Sequence, residues 1–189
     1  MLENGLQEVN NPSSIFTNKE TIAGVATTIT KEGSRPFAVD IQALINKTFY
    51  NNPRRTTTGI NINRLHQILA VIEKHLGIKL SDYDCYIATG GGFEINDPTS
   101  DLGVAISILS SLKNIPPIPN SAFVGELGLS GQVRQTNNLR TKLEEAARLG
   151  IKNILVPKIE NNLKNHFSKL INLKEISHIN EAIDYSFKK

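Results

Sequence analysis

The sequence predicts an α/β protein, an α+β sandwich with helices packed on a sheet, and three observations predict it. Apolar and polar residues alternate on both sides of Glu32-Gly33-Ser34-Arg35, which marks a strand hairpin near the start. Apolar residues then recur at helical spacing in three places, each closed by glycine or proline. Short apolar runs lie between those helices, and the resulting strand-helix-strand units must bury one face of each element against the next. At 189 residues, with 39% hydrophobic and 21% charged, the chain suits a single domain over residues 1–189 and is short for two.

Residues 1–20 read as an extended N-terminal segment, followed by hairpin strands at Thr21–Lys31 and Pro36–Ala43. Asn46–Asn61 reads as a polar loop carrying Pro53-Arg54-Arg55-Thr56-Thr57-Thr58-Gly59. Leu65, Ile68, Leu69, Ile72 and Leu76 share one helical face, and Gly77 suits the cap that ends it. Tyr83–Ala88 is a short buried strand broken by Gly90-Gly91-Gly92. The next helix starts near Thr99–Asp101 and runs to Leu112, since Pro116, Pro117 and Pro119 forbid continuation. Ala122–Leu127 and Gln132–Arg134 flank Gly128-Leu129-Ser130-Gly131 as a second hairpin. A third helix, Leu139–Leu149, stops at Gly150 and leads to a strand at Asn153–Val156. Leu173–Ile176 and the periodic end around Ala182, Ile183 and Phe187 add a last strand and helix. No internal repeat or low-complexity tract interrupts this order.

Composition narrows the function. No apolar run approaches the roughly 20 residues of a membrane span, and Met1–Asn11 lacks the features of a signal peptide, so the expectation is a soluble, cytoplasmic protein without a membrane partner. The single cysteine, Cys85, excludes an internal disulfide and a cysteine zinc site, which leaves core packing as its role. A net charge of +3 permits a nucleic-acid partner whose footprint must be local.

Asp97-Pro98-Thr99-Ser100-Asp101-Leu102 sets hydroxyls at the mouth of a helix, and Lys142 lies on a later one. A hydroxyl and a neutral, buried lysine within hydrogen-bond reach make a nucleophile and base pair. Two properties argue against that use. Thr99 is a secondary hydroxyl in mid-chain, whereas threonine nucleophiles are usually N-terminal with their own amine as base. Lys142 sits among Arg140, Glu144, Glu145 and Arg148, where a solvated lysine stays protonated. The plain alternative for Thr99, Ser100 and Asp101 is capping of the helix amides. Gly90-Gly91-Gly92 has the look of a phosphate loop, but no Lys-Ser or Lys-Thr follows, so a bend at a strand end is the better reading. His66, His75, His166 and His178 lack metal-pair spacing, and solvated or packing roles suit them. Arg54, Arg55 and Thr56 form the compact cationic cluster with hydroxyl donors, a candidate for DNA or subunit contact.

Several ordered motifs together resemble a known family. They are Glu3-Asn4-Gly5-Leu6-Gln7-Glu8-Val9-Asn10-Asn11-Pro12-Ser13, Gly33-Ser34-Arg35-Pro36, Pro53-Arg54-Arg55-Thr56, Asn63-Arg64-Leu65, Asp97-Pro98 with Asp101-Leu102, Gly125 to Arg134, and Glu145-Ala146-Ala147-Arg148-Leu149-Gly150. Over nearly the whole chain they resemble the C-terminal domain of the RadA (Sms) family of bacterial DNA repair proteins, which is similar to the proteolytic domain of Lon. In that comparison Thr99 falls on Lon's catalytic serine and Lys142 on its catalytic lysine. Lon's Pro-Ser-Ala-Gly turn is replaced by Pro98-Thr99-Ser100-Asp101, and its paired glycines by Asn137 and Asn138. A carboxylate at Asp101 opposes a developing oxyanion, which needs donors.

The resemblance implies a Lon proteolytic-domain-like fold whose dyad positions, Thr99 and Lys142, are degenerate, with no catalytic residue expected. It implies an assembly and DNA-binding domain of a repair and recombination ATPase, working in a homo-oligomeric, hexameric ring. DNA is the expected partner, through Arg54, Arg55 and Thr56. ATP and zinc are expected in the family's other parts, and no cofactor in this chain, which corresponds to the isolated Lon-like domain. The alternative is a Lon-like Ser/Thr-Lys peptidase acting through Thr99 or Ser100.

Overall fold

A computed structural model describes residues 13–17, 20–33, 35–135 and 137–187. The motif at Glu3–Pro12 lies outside the described residues. In chain order the elements are α1 (Ser13–Phe16), β1 (Val25–Glu32), β2 (Arg35–Lys47), β3 (Arg55–Thr58), α2 (Ile62–Leu76), β4 (Tyr83–Thr89), α3 (Asp101–Lys113), β5 (Ser121–Phe123), β6 (Glu126–Leu127), β7 (Val133–Arg134), α4 (Leu139–Arg148), β8 (Asn153–Pro157), α5 (Asn161–Phe167), β9 (Asn172–Ile176) and α6 (Ile179–Ser186). Single 3-10 turns occupy Gly90–Gly92 and Pro98–Ser100.

Among the described residues this is an α/β fold with three sheets. The largest runs β1-β2-β4-β3, antiparallel except where β3 pairs parallel with β4. β5-β8-β9 are all parallel, and β6-β7 form a short hairpin with Leu127 opposite Val133. The two hairpins and the four helices expected from the sequence are all present, as α2, α3, α4 and α6. Three expectations need correction. Arg55–Thr58 is a strand inside the stretch read as a loop, stabilised by long-range pairing with β4 that its polar composition conceals. The segment read as extended contains a helical turn, α1, and the polar helix α5 was not expected.

Asn61 caps α2 by accepting from the Asn63 amide at 2.8 Å, and Gly77 ends it at φ +66 in the left-handed conformation expected there. Leu65, Ile68, Leu69 and Ile72 of α2 are buried, and α3 is buried along most of its length. These helices cover one face of the large sheet through Ala26, Val39, Ile41, Cys85 and Ile87. Burial raises the Cys85 thiol pKa to about 11, in keeping with its packing role. On the opposite face, Ile29 and Ala38 pack with Leu139, Leu143 and Ala146 of α4 and with Ala122 and Ile154. That cover stops partway along β2: Phe37–Ile41 are buried without a break, whereas Gln42, Leu44 and Asn46 are exposed. Half of this sheet face therefore meets solvent.

Gly90 shows why the glycine triplet exists. A β-carbon there would overlap the Phe16 carbonyl, so α1 packs directly on the turn, with Phe16, Phe37 and Phe93 clustered at ring separations of 4.8 to 5.7 Å. The bend at a strand end is the reading that fits, and the α1 backbone lies against it. Among the described residues no helix is long and apolar enough to cross a membrane.

Candidate functional site

The Pro98–Ser100 turn and α4 bring Thr99 and Lys142 together. The Lys142 ammonium donates to Thr99 Oγ1 and to Asp97 Oδ2, and Thr99 Oγ1 donates to Asp97 Oδ1 at 2.7 Å. Thr99 and Lys142 are each only 1% exposed. The solvated-cation reading of Lys142 is thus overturned. It lies on the buried side of α4 with Leu139 and Ala146, three residues before it and four after, and beside Leu143. That pattern was available in the sequence and would have flagged the lysine.

Burial pulls the Lys142 pKa below the ordinary lysine value, and the ion pair with Asp97 pulls it partly back. The capping reading is corrected in detail. Asp97, not Thr99 or Asp101, accepts from the Thr99 amide at 3.0 Å, and Ser100 Oγ donates to the Asp97 carbonyl at 2.7 Å. Asp101 has other partners: its carboxylate accepts from Arg64 Nε at 2.8 Å, from Arg64 Nη2, and from the Leu127 amide at 3.0 Å. Burial raises the Asp101 pKa, and Arg64 together with that amide holds the rise in check. Asn138 adopts φ +66, a left-handed conformation that asparagine tolerates. Chemically, the cluster is a closed triangle. The hydroxyl proton is directed at a carboxylate and the hydroxyl oxygen already accepts from an ammonium, so no free base faces a free nucleophile.

The cationic cluster divides in two. Arg55, half-buried, donates to the carbonyls of Leu80 (2.9 Å), Tyr83 and Arg54, so its guanidinium ties the end of the α2-β4 connection to β3. Arg54 is exposed and lies 3.9 Å over the Tyr50 ring, and the nearby Tyr86 hydroxyl helps to raise its pKa. Thr56 and Thr58 are exposed on the same face. Across the strands, Leu44 stands beside Tyr86 and Tyr86 beside Thr56, so this is the open half of the large sheet. Phe49, 95% exposed, and Tyr50 border it. The sequence pointed to Arg54 and Thr56 but not to these aromatic neighbours, whose position depends on sheet pairing. His75 and His178 pack ring against ring at 5.2 Å and bond the Leu129 and Ser130 carbonyls, a packing role. Among the described residues no group of three or more metal-binding side chains converges.

A family described as subunit ChlI of Mg-chelatase matches residues 91–161, which include Asp97, Thr99 and Lys142. A DNA repair protein RadA from Synechocystis is 44% identical over 173 residues, 90% of this chain and 34% of that protein. The RadA of Bacillus subtilis is 44% identical over 83% of the chain and 35% of its own length. The RadA of Streptococcus pneumoniae is 42% identical over 84% of the chain and 38% of its own length. With identity at this level across so much of its length, the chain is a homologue of part of DNA repair protein RadA, spanning 34 to 38% of these relatives.

Proposed function

We propose that this chain is a non-catalytic assembly and DNA-binding domain of a RadA-type repair and recombination ATPase, with a Lon-like fold and a degenerate dyad at Thr99 and Lys142. Arg54 carries the DNA reading. It is an exposed guanidinium stacked on Tyr50, at the edge of an open sheet face that also carries Tyr86, Thr56 and Thr58. Cations hold phosphates, and aromatic rings accept bases of any sequence. Arg55 belongs to the framework of this face rather than to its contact surface. A hexameric ring of such subunits in the cytoplasm, with ATP and zinc handled by other parts, completes the reading and follows the family resemblance.

Fluorescence anisotropy with labelled DNA at several salt concentrations tests the reading. Wild type binds, and Arg54→Glu weakens binding alike across sequences and lowers the slope of log affinity against log salt by about 0.7 for a single strand. Unchanged affinity would remove Arg54 from the interface.

The second reading, a Ser/Thr-Lys peptidase, is favoured by one observation, the contact of a buried lysine with Thr99. The closed triangle with Asp97 and the burial of Thr99 and Ser100 support the non-catalytic alternative. The expected outcome is no turnover of fluorescent casein by the purified chain. Turnover that disappears in Lys142→Ala would reverse the assignment.

A further inference from the structure

A cavity of about 450 Å³ opens where the cover on the large sheet gives out. Its lining includes the sheet face at Thr27 and Asp40, which stand opposite each other in the β1-β2 register. The α1 turn, residues 20–22 and the stretches leading into β5 and out of α4 form the other sides. Clefts of roughly 300–1,000 Å³ are the usual size for small-molecule ligands.

The polar part of the lining is rich in acceptors. Thr17 Oγ1 donates to the Ser13 carbonyl at 2.8 Å, Thr27 Oγ1 to Asp40 at 2.6 Å and Ser121 Oγ to the Ile118 carbonyl at 2.7 Å. Each hydroxyl has a single proton, so these three offer an occupant only lone pairs. Two carboxylates lie at different depths: Asp40 is 2% exposed, whereas Glu20 is open to solvent. Among the described residues no lysine, arginine or histidine lines the cavity, although the chain as a whole carries a net charge of +3. The remaining walls are largely apolar, with Ile22, Ile118, Phe123, Leu149 and Ile151. Acceptors, acids and apolar walls together suit a cation that carries several N–H donors on an aliphatic body.

We propose that this cavity binds an aliphatic diammonium ion of the putrescine type. One ammonium joins the existing partners of Asp40, whose two oxygens offer about four acceptor sites and so accommodate added donors. Charged hydrogen bonds are strong, and stronger still at the depth of Asp40. The methylenes lie against the apolar walls, and the second ammonium meets Glu20 at the mouth. Because α1 supplies one side of the cavity, an occupant also pins that turn against the sheet. The inference stands apart from the DNA-binding reading, since neither Arg54 nor Arg55 lines the cavity.

The test is isothermal titration calorimetry at fixed ionic strength with putrescine and butylamine, on wild type, Asp40→Asn and Glu20→Gln, each checked for folding by a thermal melt. Wild type should bind putrescine saturably, and Asp40→Asn should weaken it roughly tenfold or more, as loss of a charged hydrogen-bond partner does. Glu20→Gln should bring putrescine down to the weaker affinity of butylamine and leave butylamine itself unchanged. Glu20 is exposed, so this variant decides the matter even where Asp40→Asn fails to fold. Absence of saturable binding by wild type, or wild-type affinity for putrescine in either folded variant, would overturn the proposal. Displacement of putrescine by magnesium chloride far beyond that by sodium chloride at equal ionic strength would make the cavity a metal-ion site and overturn it as well.

Discussion

Replacing Lys142 with methionine will lower the unfolding free energy by about 3 kcal/mol, because removal of one member of a buried ion pair leaves the other without compensation. The residue left behind is Asp97, whose side chain is 17% exposed and bonded to the ammonium and to Thr99. Methionine keeps most of the volume, so the loss reports the polar triangle rather than a cavity. Adding Asp97→Asn to Lys142→Met should recover part of the loss, since the stranded charge is then gone. The pH dependence carries a sign. The folded-state lysine pKa lies below the ordinary lysine value of 10.5, mainly through burial. Between that lowered value and 10.5 the unfolded chain binds more protons, so the Lys142 contribution grows more favourable as pH rises through this window. Urea midpoints of wild type and Lys142→Met should therefore diverge further in the alkaline range. Coincident midpoints at neutral pH would refute the structural role of the triangle.

Arg64→Ala has the next largest expected effect, again about 3 kcal/mol by the same argument of a stranded buried charge. Asp101 is 2% exposed, and the Arg64 guanidinium joins α2 to the start of α3 while the Leu127 amide adds the hairpin. Here the pH dependence runs the other way. The Asp101 pKa is already raised by burial, and Arg64 restrains it. Without the guanidinium it rises further, so on acidification the folded variant takes up a proton before the unfolded chain does and gains stability relative to it. The deficit of Arg64→Ala, large at neutral pH, should shrink in acid. Urea unfolding at neutral and acidic pH measures this, and a deficit independent of pH would show that the carboxylate charge is not what the arginine stabilises. Arg64→Lys should fall between the two, keeping the charge without the two-pronged geometry.

The parts of the fold that were legible in the sequence are those whose signal is local. The helix from Ile62 to Leu76 repeats its apolar face and stops at Gly77, and the first hairpin turns at Gly33. β3 was illegible because Arg55 and three threonines alternate between half-buried and exposed, and only pairing with β4 makes them a strand. α5 presents a single buried side chain, Phe167, too little for a periodic pattern. For the candidate site, the sequence identified the two residues that meet but not the third. In the sequence Asp97 is only one residue of the motif around Pro98, and its grip on Lys142 across 45 residues is a tertiary fact. The separation of Arg54 from Arg55 follows from strand alternation, which a loop reading hides.

The docking of α1 has a mechanical consequence. A single helical turn has no stability of its own, so its place depends on the contacts that hold it. Ser13 Oγ accepts from the Ala38 amide at 3.0 Å and donates to Glu145 at 3.2 Å, while Phe16 lies on Gly90. Tension arriving along the chain at Ser13 is thus shared between β2 and α4, and Glu145 is one helical turn from Lys142. A pull there loads the helix that carries the buried lysine, making the Ser13 bonds a coupling between the chain's entry point and the interior of the domain.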